Sequence, residues 1–193
     1  MGGGEPDLVT LVKQGDLDAF ETLYQSHRTA VYRTAYAILR DEGVAEEILQ
    51  DTFLRAYRSI QTLEEHACIG AWLHRIAVNL SYNWLKKKRL SIEPLADWAE
   101  RVFPDKHDSP ERTVEIGELR DQVHEAINSL DFKHRAVVVL FYLQDFSLAQ
   151  IAYILECPVG TVKSRLHYAC KVLRKKLAAS EVYVPRGTAL EPA

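Results

Sequence analysis

The sequence predicts an all-α chain of two small helical domains joined by a flexible acidic linker, and three observations carry that reading. Apolar residues recur three and four positions apart in one long stretch after another, the spacing that gives a helix a buried stripe. Between Leu90 and Pro110 that rhythm stops, acids dominate, and Pro94, Pro104 and Pro110 interrupt the backbone. Finally, Phe146 to Leu177 reads as two helices about a proline-containing turn, the second of them basic. The division that follows is 7–89 for a first domain, 90–110 for the linker, 111–178 for a second domain and 179–193 for a flexible tail.

A short helix, Asp7 to Gln14, is expected to stop at Gly15. Asp16 then caps a long helix to about Arg40, with Leu17, Phe20, Tyr24, Val31, Ala35 and Ile38 facing inward. Gly43 separates it from a third helix, Val44 to about Leu63, that buries Ala45, Leu49, Phe53, Ala56 and Ile60. The outward face of this helix begins with Glu46, Glu47, Gln50 and Asp51 and ends with Arg55 and Arg58, which complements the helix dipole only in part. Leu63 to Gly70 is a loop into a fourth helix, Ala71 to Arg89, whose inward residues are Trp72, Leu73, Ile76, Ala77 and Leu80. His74, Arg75, Asn79, Tyr82, Asn83 and Trp84 are left for its surface, ahead of Lys86, Lys87, Lys88 and Arg89. Aromatics and amides interleaved with bases suit single-stranded nucleic acid, which offers faces to stack on and edges to bond; aromatics on a helix also serve simply as core. Past the linker, a helical signal runs from Glu111 to Ser129, and Asp131 caps a helix from Phe132 to Leu143 apolar enough to be buried.

Ser147 caps the first helix of the helix-turn-helix, whose apolar positions are Leu148, Ile151, Ala152 and Leu155. Pro158, in the turn from Glu156 to Val159, forbids continuation and suits the start of the next helix. There Val162, Leu166, Ala169, Leu173 and Leu177 form one apolar stripe. Outward lie Thr161, Lys163, Ser164, Arg165, His167, Lys171, Arg174, Lys175 and Lys176, with no acid between Gly160 and Ser180. Gly160 and Thr161 are small enough for backbone amides to approach a phosphate. The bases behind them can neutralise further phosphates or fork onto guanine edges.

A formal net charge of -3 over 193 residues argues against a nucleic-acid binder unless the charge is read locally. Met1 to Gly70 sets twelve acids against six bases, and Leu90 to Asp131 eleven against four. Ala71 to Arg89 holds five bases and Lys163 to Ser180 six, neither stretch with an acid. Two separate contacts with one long polyanion follow. Cys68, Cys157 and Cys170 are odd in number and far apart, which suggests a reduced, cytoplasmic protein. No apolar run approaches the roughly 18 residues of a membrane span, so no membrane insertion is expected. The Gly-rich start lacks a signal peptide's apolar core, and Pro6 stands where a myristoylation motif wants Ser or Thr. No phosphate loop, nucleophile elbow, zinc spacing or repeated Glu-x-x-His is present, so neither an enzyme nor a bound cofactor or metal is expected.

Four stretches, in this order, resemble bacterial RNA polymerase sigma factors of the extracytoplasmic-function group: DAFETLY at Asp18, AEEILQDTFLRAYR at Ala45, AWLHRIAVNL at Ala71 and IAYILECPVGTVKSRLHYACKVLR at Ile151. The resemblance implies sigma domains two and four and a transcription initiation factor without catalysis of its own. It implies that Glu46, Gln50 and Asp51 dock on the β′ clamp helices of core RNA polymerase, while the early helices of domain four grip the β flap. The -10 element of promoter DNA would be opened and held by His66, Cys68, Ile69, Asn79, Asn83, Lys86, Lys87, Lys88 and Arg89. Gly160, Thr161, Lys163, Ser164, Arg165, His167, Lys171 and Arg174 would read the -35 element. An anti-sigma factor is the further partner it implies. The alternative is a stand-alone helix-turn-helix repressor or activator, which would bind a palindrome as a dimer; no dimerisation segment is evident. The chain departs from the family at Glu156, where Gly is frequent, and at Asn83 and Lys86, where Asp and Arg are usual.

Overall fold

Capping chemistry sets most of the helix boundaries in the computed structural model, which describes residues 5–63, 68–90 and 122–179. Helix α1, Glu5–Lys13, ends at Gly15, whose φ of 91° is one that L side chains rarely adopt. Helix α2, Leu17–Leu39, starts at Asp16, whose carboxylate accepts from the Ala19 amide at 3.0 Å, and it stops at Arg40 in the left-handed region. Helix α3, Glu42–Ser59, is capped by Asp41 through the Val44 amide at 3.0 Å. Gly43 therefore lies inside the first turn of α3 rather than between helices, because Arg40 and Asp41 complete the reversal alone. A 3-10 turn, Ile60–Thr62, leads away, and α4 spans Ile69–Leu90.

The second domain contributes a helix over 122–128 (α5) and α6, Phe132–Val138, capped by Asp131 through the His134 amide at 3.0 Å. A π turn, Val139–Leu143, follows. Helix α7, Leu148–Ile154, carries a capping box: Gln150 Nα donates to Ser147 Oγ, and Ser147 Nα donates to Gln150 Oε1 at 2.9 Å. Helix α8, Val159–Ala179, completes the described chain. The expected linker, the tail and most of the loop before α4 lie outside the described residues, which hold helices and no strand.

The first core gathers Leu23, Val31, Ala35, Ala45, Phe53, Ala56, Leu73 and Ala77 from α2, α3 and α4. Phe20 and Tyr24 meet Phe53 edge-on at its margin, with centroids 6.4 and 4.8 Å away. Leu17 faces solvent at 65% exposure, contrary to expectation, and Ala19 and Leu23 take the inward register instead. Both registers are apolar in sequence, and packing chose between them. The second core is built on α6, α7 and α8 from Val137, Leu140, Ile151, Ile154, Val162, Leu166 and Ala169.

The two cores are not separate. Ile38 of α2 and Ala71 and Val78 of α4 belong to the second cluster, so α4 is buried along two stripes. His74, expected on the surface, is 2% exposed, with its ring 4.8 Å from that of Phe146. Arg135 ties the domains further by donating to the carbonyls of Ile38 at 2.6 Å, Asn128 at 2.5 Å and Leu130 at 2.9 Å. Burial and the nearby Arg40 lower the pKa of this guanidinium; the three carbonyls accept from its Nη1 and Nη2 groups, while its buried Nε has no partner among the described residues.

Candidate nucleic-acid interface

The turn ahead of α8 sets its aim. Leu155 and Cys157 amides close the end of α7 on the carbonyls of Ile151 and Ala152, at 2.9 and 3.1 Å. Glu156 between them takes a φ of 49°, the left-handed value that Gly adopts without strain. The Pro158 carbonyl then accepts from the Thr161 and Val162 amides at 2.8 and 3.2 Å, starting α8. Val162, Leu166 and Ala169 are fully or almost fully buried, and Leu173 and Leu177 are half-buried. The predicted stripe is the packed one. Lys163, Ser164, His167, Lys171 and Arg174 stand exposed, as does Gly160, with Thr161 half-buried beside it. Arg165 is also half-buried, its guanidinium 3.6 Å from Cys157 Sγ, and Ser164 Oγ donates to the Thr161 carbonyl at 3.0 Å. Sequence reasoning passed over Tyr168, which is 54% exposed among these bases and packs one side of its ring on His134 at 4.6 Å.

The second basic run ends α4. Asn83, Lys86, Lys87 and Lys88 are exposed in its last turns, with Lys88 Nζ 4.7 Å from the centroid of Trp84. Cys68 is exposed just ahead of α4, whereas Ile69 is 1% exposed and packed in the first core. His66 and the Arg89 side chain lie outside the described residues. Asn79 is exposed and lines a cleft of about 370 Å³ with Thr62, Trp72, Arg75, Ile76, Tyr153 and Glu156. Arg75 spans that cleft: its Nη2 donates to Glu156 Oε1, and its Cζ lies 5.1 Å from the Tyr153 ring centroid. Burial alone would lower its pKa; its hydrogen bonds to Tyr153 and Glu156 outweigh that and raise it.

A third surface is acidic. Glu46, Gln50 and Asp51 are exposed together on α3, one turn apart. Leu54 and Tyr57 continue the same side, 54% and 48% exposed, with Tyr57 braced edge-on by Phe20 at 5.1 Å. Exposed aromatic and aliphatic groups beside a polar patch are what protein interfaces use as anchors. The sequence marks them only as apolar residues falling off the buried stripe. Among the described residues no group of His, Cys, Asp and Glu could hold a metal ion, and no helix is long and apolar enough to cross a membrane.

Comparison with known proteins gives a consistent result. Residues 23–90 match the family Sigma-70 region 2, and residues 120–173 match Sigma-70, region 4. The ECF RNA polymerase sigma factor SigW of Bacillus subtilis (strain 168) is 35% identical over 175 residues, 86% of this chain and 92% of that protein. The ECF RNA polymerase sigma-E factor of Haemophilus influenzae (strain ATCC 51907 / DSM 11121 / KW20 / Rd) is 32% identical over 179 residues, covering 88% and 93%. In fold, the chain is similar to CnrH in its complex with the cytosolic domain of CnrY, with a TM-score of 0.70 at 22% identity over 91% of this chain and 98% of that one.

Proposed function

The chain belongs to the extracytoplasmic-function group of RNA polymerase sigma factors and is a transcription initiation factor; on that premise we propose how its surfaces divide the work. The observation that carries the proposal is the separation of charge: two exposed basic surfaces, on α8 and at the end of α4, with an acidic surface on α3 apart from both.

Helix α8 enters the major groove at the -35 element. Gly160 and Thr161 bring backbone amides to a phosphate, Lys163, Ser164, Arg165 and His167 lie over the base edges, and Lys171 and Arg174 follow the backbone. The end of α4 serves the -10 element. Opening a duplex costs stacking and pairing, so a factor that melts DNA has to hold the displaced strand and capture unstacked bases. Lys86, Lys87, Lys88 and Arg89 hold phosphates, Asn79 and Asn83 offer both donors and acceptors to a base edge, and the loop with His66 and Cys68 closes the base site, with the buried Ile69 anchoring its end in the first core. On α3, Glu46, Gln50 and Asp51 meet the β′ clamp helices of core polymerase, with Leu54 and Tyr57 as apolar anchors, and domain four meets the β flap. The polymerase performs the chemistry, in the cytoplasm, and an anti-sigma factor controls access. A stand-alone repressor is disfavoured because α3 then has no use for its exposed acidic and apolar face.

Selection of promoter fragments by core polymerase with and without this chain tests the proposal. A shared pair of motifs enriched only when both are present supports it, and enrichment by the chain alone of a single palindrome overturns it. Gln50→Ala with Asp51→Ala is expected to weaken core binding by about 2 to 5 kcal/mol while leaving the helical circular dichroism unchanged. Unchanged affinity in a titration would remove α3 from the interface.

A further inference from the structure

The chain enters the loop before α4 from a point that α1 holds. Leu63 follows the 3-10 turn with 3% exposure in the first core; its amide donates to the Ile60 carbonyl at 3.1 Å, and its carbonyl accepts from Lys13 Nζ at 2.5 Å. Two residues earlier the donation runs the other way, from Gln61 Nε2 to the Lys13 carbonyl at 2.6 Å. That carbonyl is the last of α1, one of those a helix end leaves without an internal partner. Lys13 thus both gives and takes, across 50 and 48 positions of sequence, and two bonds of opposite sense fix orientation as well as distance. The brace has a firm base: Val12, beside Lys13, is 3% exposed in the same core, and Leu8 and Val9 pack against it. At the other end of the loop Ile69 is buried, and the Cys68 carbonyl accepts from the Trp72 amide at 3.1 Å. One end is therefore set by the first turn of α4 and the other by α1.

We propose that Lys13 is a positioning residue for -10 recognition: by holding the Leu63 carbonyl it sets where the base-capturing loop begins relative to Asn79 and the rest of α4. The inference rests on the reading of that loop and α4 as the -10 surface. Lys13 acts through the loop, not by contact with DNA. Three observations converge on it. A helix of nine residues is too short to be stable alone, so α1 persists through what it packs on, and its last residue is bonded to the turn that feeds the loop. A lysine in the last turn already complements the helix dipole from solvent, and ordering its long side chain costs rotamer freedom; here the ammonium is nonetheless fixed on one backbone carbonyl of another element. Thr62, between the two braced residues, lines the cleft that holds Asn79, so a shift of the turn moves a wall shared with α4. Loss of the brace displaces the origin of the loop and leaves every group that meets a base in place on the chain, and a recognition site loosened in its support loses discrimination.

Lys13→Met keeps the length and apolar stem of the side chain and removes its donor, Lys13→Arg keeps a cationic donor, and Gln61→Leu removes the second bond of the brace. The full chain is bound to core polymerase on two promoter fragments that differ at a single -10 base pair, and the ratio of their permanganate reactivities reads discrimination at that position. The net worth of one hydrogen bond sets the scale, so the ratio should fall by about two- to twelvefold in Lys13→Met. It should fall less in Gln61→Leu and recover toward wild type in Lys13→Arg, with -35 protection and core polymerase affinity unchanged throughout. A residue that only stabilises the domain lowers the signal on both fragments alike, so an equal loss on the two, or wild-type discrimination in Lys13→Met, overturns the proposal. His66→Ala with Cys68→Ala tests the reading beneath it. If that pair changes the ratio and Lys13→Met does not, the -10 reading of the loop stands and the proposal falls; if neither changes it, the reading falls and the proposal with it.

Discussion

Helices α8 and α4 are matched in length and both end in a cluster of lysines, yet they are built differently. Helix α8 buries one stripe, Val162, Leu166 and Ala169, and leaves its cationic side open. Helix α4 buries two: Leu73, Ala77 and Leu80 face the first core, while Ala71, His74 and Val78 face the second. A helix with one buried stripe can present a rigid reading surface at all times. One with two has Arg75 and Asn79 along the cleft between the domains, while Lys86, Lys87 and Lys88 stand exposed beyond it. Similar basic composition thus sits on a helix held by one core in one case and shared between two in the other.

Substitutions in the cores should separate the two helices by the largest effect. Leu166→Ala should cost about 2 to 5 kcal/mol in the unfolding of domain four, as expected for a leucine 3% exposed. Val78→Ala, on the second stripe of α4, should loosen the domains from one another with a smaller loss. If thermal unfolding shows equal losses with no separation of domains, the second stripe of α4 is ordinary core. Next in size are the residues of α8 proposed to read DNA. Lys163→Ala and Arg165→Ala should each lower the log-log salt slope of -35 binding by about one if they touch phosphate, or relax discrimination at one base pair by about 1 to 3 kcal/mol if they touch a base. Wild-type slopes and specificity in both variants would take α8 off the DNA.

A pH titration separates the two stripes of α4. Burial holds His74 below its ordinary value of 6.5, and His27 adds to this, while the carbonyls of Gly70 and Ala30 partly offset them. The unfolded chain therefore takes up its proton first as pH falls. This contribution to stability is intact above about 6.5 and declines below it, by at most about 1.4 kcal/mol per pH unit. His74→Gln should flatten denaturation midpoints against pH between about 6.5 and 5; a slope identical to wild type would place the sensitivity in the carboxylates instead. Smallest is the helix-turn-helix cap: Ser147→Ala should cost about 1 kcal/mol, since Ser147 and Gln150 close a reciprocal pair at the start of α7.

What the sequence made legible divides along the same line. Asp16, Asp131 and Ser147 read as caps because a short acceptor ahead of an apolar period has few other uses, and each accepts from an amide as expected. The stripe and the cationic side of α8 were legible for the same reason: one buried face leaves one clear period. The second stripe of α4 was not. Its members are Ala71, His74 and Val78, two small residues and one polar, and a residue that is buried only by a domain far along the chain carries no local signal. His74 read as surface, and Arg135 gave no sign that it would reach the first domain through the Ile38 carbonyl. Leu17 shows the converse, an apolar residue in a plausible register that packing left in solvent. Glu156 lay between the two: the family frequency of Gly flagged the strained turn, but only the fold brings Arg75 to its carboxylate.

Combined footprinting with permanganate measures whether α8 and α4 contact two different parts of one promoter within a polymerase complex. On a selected promoter, core polymerase with this chain should protect the -35 region and make thymines near -10 reactive, and neither component alone should do so. Alanine at Lys86, Lys87, Lys88 and Arg89 together should abolish the reactivity and spare the protection, and alanine at Lys163 and Arg165 should weaken the protection first. Loss of both signals together in each variant, or permanganate reactivity unchanged by the lysine cluster, would contradict the account.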